Sequence, residues 1–250
     1  MLQRIDKIIS SQLNISRNDT RTLIKKGAVL CDGVVVTDSG TKCDAEKSEI
    51  TVNGKPLFFR EHIYIMMNKP QGIVSATTDS KIRTVIDIVP ENLKRKNLFP
   101  AGRLDKDTVG FMLITDDGDF AHRILSPSKH VEKTYIAHLR DRLSDEGKEI
   151  LERGAVLSDG TECMDARVRL IDDEGKIAEI TIREGKYHQI KRMFASVGNE
   201  VIFLKRISIG NLPLDESLGE GECREITAEE LSLIQNNKMC CDNAQCETDE

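Results

Sequence analysis

The spacing of apolar residues switches from a helical to a strand period near Gly27. No other feature constrains the start of the chain as tightly. Leu2, Ile5, Ile8, Ile9 and Leu13 recur at helical spacing and predict an amphipathic helix. Ser16 with Asp19 three residues on resembles a capping box, Asp standing for the usual Glu, and predicts a second helix running to Gly27. Beyond it, apolar residues 28–31 and 34–36 flank Asp32-Gly33. That is the signature of a two-residue hairpin, whose turn needs the positive φ that Gly adopts freely. Residues 50–52 form a further strand, turned by Asn53-Gly54. Two helices and a few strands within residues 1–58 make a small domain, with Phe58-Phe59-Arg60-Glu61-His62 as its exit.

The remainder mixes strands and helices. Residues 64–67 read as a short buried strand ending in the turn cluster Asn68-Lys69-Pro70-Gln71-Gly72. Residues 111–115 form another apolar strand, closed by Asp116-Asp117-Gly118, while 135–139 and 178–183 alternate as half-buried strands do. Tyr187, Ile190, Phe194 and Val197 return to helical spacing before Gly198, a stop signal, and 201–204 is again a strand. Without repeats or low-complexity stretches, residues 63–233 read as one α+β domain with a mixed, largely antiparallel sheet.

Charge is unevenly distributed. The 250 residues carry a net −6, which by itself argues against binding a polyanion. Residues 213–250, however, hold eleven acidic and two basic side chains, a net −9, which leaves +3 for residues 1–212. The first 26 residues alone hold six basic and two acidic side chains. Local field rather than total charge governs attraction to an anion. Residues 234–250 are expected to form an acidic, disordered tail. With no Trp and three Tyr, the chain has few platforms for stacking successive bases. No apolar run reaches the roughly 20 residues of a membrane span, and the start (Gln3, Arg4, Asp6, Lys7) is not that of a signal peptide. A cytoplasmic protein with no membrane contact is expected. Seven cysteines, none at zinc-site spacing, point to reduced thiols; Cys240, Cys241 and Cys246 cluster near the end. No metal site is expected.

On the second predicted helix Arg17, Arg21 and Lys25 fall at i, i+4 and i+8 and share one face. Such a row is most often a merely solvated face. The helix–helix–hairpin unit, with Arg4-Ile-Asp-Lys7, Ile15-Ser-Arg17 and Ile24-Lys-Lys-Gly-Ala-Val29 leading to Asp32-Gly33, resembles the S4 RNA-binding domain. The resemblance implies a grip on phosphates by this basic face, with base reading secondary.

Four further segments invite chemistry. In the first, Asp105-x-Asp107-x-x-Gly110 suggests a calcium loop, but Val109 and Asp116 stand where its fifth and twelfth ligands should be. A polar turn ahead of the strand is the plainer alternative. Gly102-Arg-Leu-Asp105, then Thr108-x-Gly110 and an apolar strand ending in Thr115-Asp-Asp-Gly118, resembles the catalytic motif of pseudouridine synthases. Met67-Asn-Lys-Pro-x-Gly72, Glu132-Lys-Thr-Tyr135 and the stretch from Glu184 through His188-Gln-Ile-Lys191-Arg192-Met193 resemble the family's other motifs in order and spacing. With the S4-like unit in front, the chain resembles the ribosomal small-subunit (RsuA) type over residues 1–233.

That resemblance implies isomerisation of a uridine in small-subunit (16S) rRNA, with no cofactor. Asp105 would be the catalytic carboxylate, as nucleophile at the anomeric carbon or as base at the 2′ position. Lys191 would be the cation facing it and holding it ionised. Many relatives carry Arg there; lysine lacks the bidentate fork. Tyr135 would stack on the uracil, or else is simply a cross-strand aromatic. Leu104 and Ile190 would wall the pocket, and Arg192 would face RNA. Because the reactive atoms are inaccessible in a stacked helix, the nucleotide would be flipped out, with Arg103 as wedge or phosphate contact. His188 reads in isolation as a ligand or base, but with no second metal ligand nearby it is expected to make local hydrogen bonds at the helix entrance. The competing readings are a large-subunit rRNA synthase and a non-catalytic S4 assembly factor. A monomer is expected, with rRNA, free or in an assembling subunit, as the partner.

Overall fold

A computed structural model describes residues 2–126 and 131–235. The expected tail starts too early: Ile234 and Gln235 close a helix, with Ile234 fully buried, while residues 236–250, with Cys240, Cys241 and Cys246, fall outside the described residues.

The first unit packs helices α1 (Ile5–Gln12) and α2 (Arg17–Lys25) on an antiparallel sheet. Its strands are β2 (Val29–Cys31), β3 (Val34–Val35), β5 (Ile50–Val52) and β6 (Lys55–Leu57), in the order β3-β2-β5-β6. Both hairpin turns have the expected left-handed pairs, Asp32-Gly33 at φ 51° and 78° and Asn53-Gly54 at 52° and 73°. The capping box forms: Ser16 Oγ accepts from the Asp19 amide at 3.1 Å, and the Asp19 carboxylate accepts from the Ser16 amide at 3.2 Å. Ile5, Ile8, Ile9, Ile24, Val29 and Ile50 make the core.

One expectation fails here. The opening helix does not start at Leu2. Residues Leu2–Arg4 are a strand, β1, paired antiparallel with β4 (Lys42–Asp44), and Leu2 lies exposed. The helical spacing of Leu2 is coincidental. A partner forty residues away offers its backbone a ladder that local periodicity cannot reveal.

From residue 63 on, the fold is built on one nine-stranded sheet with main order β11-β12-β10-β13-β9-β7-β15. These strands are β11 (Arg167–Leu170), β12 (Ile177–Ile182), β10 (Lys133–Leu139), β13 (Val201–Ile209), β9 (Val109–Thr115), β7 (Tyr64–Lys69) and β15 (Cys223–Glu225). Short strands β8 (Phe99–Pro100) and β14 (Leu212–Pro213) pair with β9 and β13. Every pair is antiparallel except β9 with β13. All seven residues of β9 are buried because both faces of the sheet are covered there. Met112 and Ile114 join the core beneath α5 (Gln189–Ser196), while Phe111 and Leu113 join a second core beneath α3 (Gly118–Leu125) and α6 (Ala228–Gln235). β10 alternates strictly, with Tyr135, Ala137 and Leu139 inward. Among the described residues no helix is long and apolar enough to cross a membrane.

The two units meet at the linker. Half-buried Arg95 donates to Gln12 Oε1 on α1 at 2.5 Å and to the Arg60 carbonyl at 2.9 Å, and lies 3.5 Å from the Asp116 carboxylate.

Candidate active site

Residues 101–108 leave β8 and double back into β9, and three anchors fix that loop. Ser75 Oγ accepts from the Leu104 amide at 3.0 Å and donates to the Leu104 carbonyl at 2.8 Å. The Gly72 amide donates to the Lys106 carbonyl at 2.8 Å. The third anchor is Lys69, fully buried at the end of β7. Its ammonium donates to the carbonyls of Thr108 (2.9 Å), Pro70 (3.1 Å) and Lys106 (3.4 Å). Burial pushes the Lys69 amine down to about 8, against the opposing pull of Asp107 and Asp105. A tight turn, with the Thr108 amide donating to the Asp105 carbonyl at 3.1 Å, then presents Asp105 and Asp107 to the same cation.

The opposite wall is the entrance of α5. Glu184 organises it, accepting from the Met164 amide at 2.9 Å, from Gln189 Nε2 at 2.6 Å and from Lys186 Nζ at 2.5 Å. Gln189 Oε1 in turn accepts from the Lys186 amide at 2.8 Å. His188 is the N-cap of α5 in the left-handed region, φ 48°, yet its ring makes no capping hydrogen bond. The ring stacks on Tyr187 and brings Nε2 to 3.5 Å from Asp105 Oδ1. This departs from the expected local bonding at the helix entrance. The left-handed backbone turns the imidazole away from the free amides and toward the carboxylate.

Between these walls lies an open-mouthed cavity of about 430 Å³. Asp105, Tyr135, Lys191, Leu104, Ile190 and Arg103 all line it. Tyr135 reaches it from β10, with only 7% of its surface exposed. Arg103 is exposed beside it. Arg192 is not part of it: its guanidinium pairs with Asp159 at 2.5 Å and lies 3.4 Å from the Tyr187 carbonyl. Arg17, Arg21 and Lys25 stand exposed along α2 in the other unit.

The main departure concerns Lys191. Its ammonium is 3.6 Å from Asp105 Oδ2 but 2.7 Å from both oxygens of Asp107. This hydrogen bond holds the Asp107 carboxyl below the usual carboxylate range. Asp105 thus has a nitrogen near each oxygen, both just beyond hydrogen-bond length. Beneath the loop, Arg206 Nε donates to the Phe111 carbonyl at 2.7 Å. Arg206 Nη2 and Thr108 Oγ1 are buried without a hydrogen-bond partner. Lys133, buried near Arg206, has its amine pushed down to about 8 by burial first and by that guanidinium second.

Sequence reasoning assigned no role to Lys69, Asp107 or Glu184. A lysine ending a strand that is buried from its second residue on is an anomaly that could have flagged the first. Chemically, the cavity offers one half-exposed carboxylate, two adjacent nitrogen bases or cations, and an aromatic side chain between apolar walls. That set suits a flat, polar ring.

Comparison with known proteins points the same way. Residues 63–196 match the family described as RNA pseudouridylate synthase, and residues 3–50 match the S4 domain. An uncharacterized RNA pseudouridine synthase, YtzG, of Bacillus subtilis (strain 168) is 47% identical, covering 92% of this chain and 98% of its own. Ribosomal small subunit pseudouridine synthase A of Escherichia coli (strain K12) is 40% identical, covering 92% and 99%. A solved structure, titled as the crystal structure of pseudouridylate synthase, superposes with a TM-score of 0.65 at 36% identity, covering 92% and 99%.

Proposed function

Because the chain belongs to the RNA pseudouridylate synthase family and carries an S4 domain, we propose that it isomerises one specific uridine of small-subunit rRNA to pseudouridine, using Asp105 on a flipped-out nucleotide. The observation that carries this reading is the meeting of Asp105, Tyr135 and Lys191, thirty or more residues apart in sequence, in one cavity. The reaction breaks the N1–C1′ bond, turns the base, joins C5 to C1′ and moves the C5 proton away while N1 gains one. No atom is added or lost. A single carboxylate suffices, whether it attacks C1′ or takes a proton at the 2′ position, because no water needs activating as it does in glycosidases. The Lys191 ammonium 3.6 Å away offsets the charge of the Asp105 carboxylate, and the Tyr135 ring offers the uracil a stacking face.

Flipping fits the geometry, since the carboxylate lies inside a cavity that a stacked duplex base cannot enter. Exposed Arg103 at the mouth is suited to fill the vacated stack or hold a phosphate. Arg17, Arg21 and Lys25 on α2 are suited to hold the RNA backbone at a distance from the reacting base. The small-subunit assignment leans on the relatives named for that subunit.

Two experiments test these readings. Asp105→Asn, assayed by tritium release from rRNA labelled at uridine C5, should abolish turnover while leaving RNA binding intact; retained turnover would refute the role of Asp105. Mapping pseudouridines in both rRNAs of a deletion strain should reveal one missing site in the small subunit. A missing large-subunit site would overturn the subunit assignment, and unchanged rRNA would overturn rRNA as substrate.

A further inference from the structure

We propose that Asp107 is a positioning residue for the reaction: it holds the Lys191 ammonium away from Asp105. The proposal rests on the reading of Asp105 as the catalytic carboxylate. Lys191 sits on the third residue of α5, where a cation opposes the helix dipole, and the first turn contains no acidic residue of its own. The compensating charge comes from the facing loop, and two carboxylates compete for one ammonium. Asp107 wins, with both oxygens at 2.7 Å, while Asp105 Oδ2 stays at 3.6 Å. The side chain of Asp107 is 57% exposed, so its placement is not imposed by burial.

The division of labour has a chemical reason. An ammonium in direct contact with Asp105 would occupy a lone pair that must attack or accept a proton, and would make the carboxylate a weaker base and nucleophile. At 3.6 Å the same cation stays close to the carboxylate but leaves the oxygen free. Lysine is a flexible point charge and would close that gap without a competing partner. Arginine at this position would carry a planar fork able to meet two carboxylates by shape alone. With lysine, the second carboxylate has to set the distance.

The test uses full-length protein and a mixture of unmodified small- and large-subunit rRNA transcripts, so that it does not depend on which subunit is the substrate. Asp107→Asn, nearly isosteric, is expected to lower single-turnover kcat by about 10- to 100-fold, the range seen for small misplacements of catalytic groups. KM for RNA should not rise, since an anion is removed. Asp107→Glu should recover most of the loss. In a Lys191→Met background, Asp107→Asn should cost nothing further, because its partner is already gone. An unchanged kcat in Asp107→Asn, a change confined to KM, or the same loss in the Lys191→Met background would each overturn the proposal. Turnover surviving Asp105→Asn would instead overturn the underlying reading of Asp105.

Discussion

A Cβ placed on Gly110 would stand 2.3 Å from the carbonyl oxygen of Arg206. Gly110 has φ 96° and lies at the one parallel junction of the sheet, opposite Arg206. No L side chain can meet both conditions. Gly110→Ala should therefore cost more than ~3 kcal/mol or prevent folding. Gly33 in the first hairpin, also at positive φ but with open space around it, should lose only about 1 kcal/mol on the same substitution. Urea unfolding of the two variants measures the contrast; equal losses would mean the close approach is not real.

Lys133 gives a signed pH effect. Its amine is held near 8 in the folded protein and returns to the ordinary 10.5 on unfolding, so between these values the unfolded chain binds more protons. Folded stability relative to Lys133→Met should rise across pH 8 to 10.5, on the order of 1 kcal/mol per pH unit at most. Below pH 8 the difference should be flat. Parallel urea titrations of parent and variant isolate this lysine from buried thiols such as Cys43 and Cys223, whose values near 11 act in the opposite direction. A difference that falls with pH would contradict the buried, charged Lys133.

Neutralising Arg17, Arg21 and Lys25 together should weaken RNA binding and flatten its salt dependence. Each phosphate contact contributes roughly 0.7 to 0.9 to the slope of log K against log salt, so a triple Gln variant should lose about 2 units. Fluorescence anisotropy with an rRNA fragment across a salt series measures it. An unchanged slope would remove α2 from the RNA interface.

Arg95→Met should loosen the linker by stripping partners from Gln12, the Arg60 carbonyl and Asp116. Proteolytic nicking within residues 58–62 should speed up, while kcat at saturating RNA stays near the parent's. If nicking is unaffected, the Arg95 contacts are not what holds the units together.

The legible parts of the molecule were those decided by neighbours in sequence. Turns at Asp32-Gly33 and Asn53-Gly54, the Ser16–Asp19 cap and the alternation around Tyr135 follow from the chain's own local chemistry. Helix α3 was missed because Asp116-Asp117-Gly118 reads as a turn, whereas Asp117 caps a helix by accepting from the Phe120 amide at 2.9 Å. Turn formers and N-caps are the same residue types. Helix α4 (Asp145–Arg153) hid behind Ser144 for the same reason. In the site, the motifs singled out Asp105, Tyr135 and Lys191, which line one cavity. The nearer engagement of Lys191 with Asp107 depends on the loop turn meeting α5, and the direction of His188 on a left-handed backbone. Neither is written in spacing.

The parallel contact between β9 and β13 joins residues 109–110 to 205–206, almost a hundred positions later in the chain. Contacts so distant in sequence are late events, because the intervening chain must be made and gathered first. The loop of residues 101–108 borders that seam, and the facing wall of the cavity, α5, precedes β13 by only a few residues. A nascent chain therefore has every residue of its S4 unit, whose core lies within residues 5–59, long before both walls of the cavity exist.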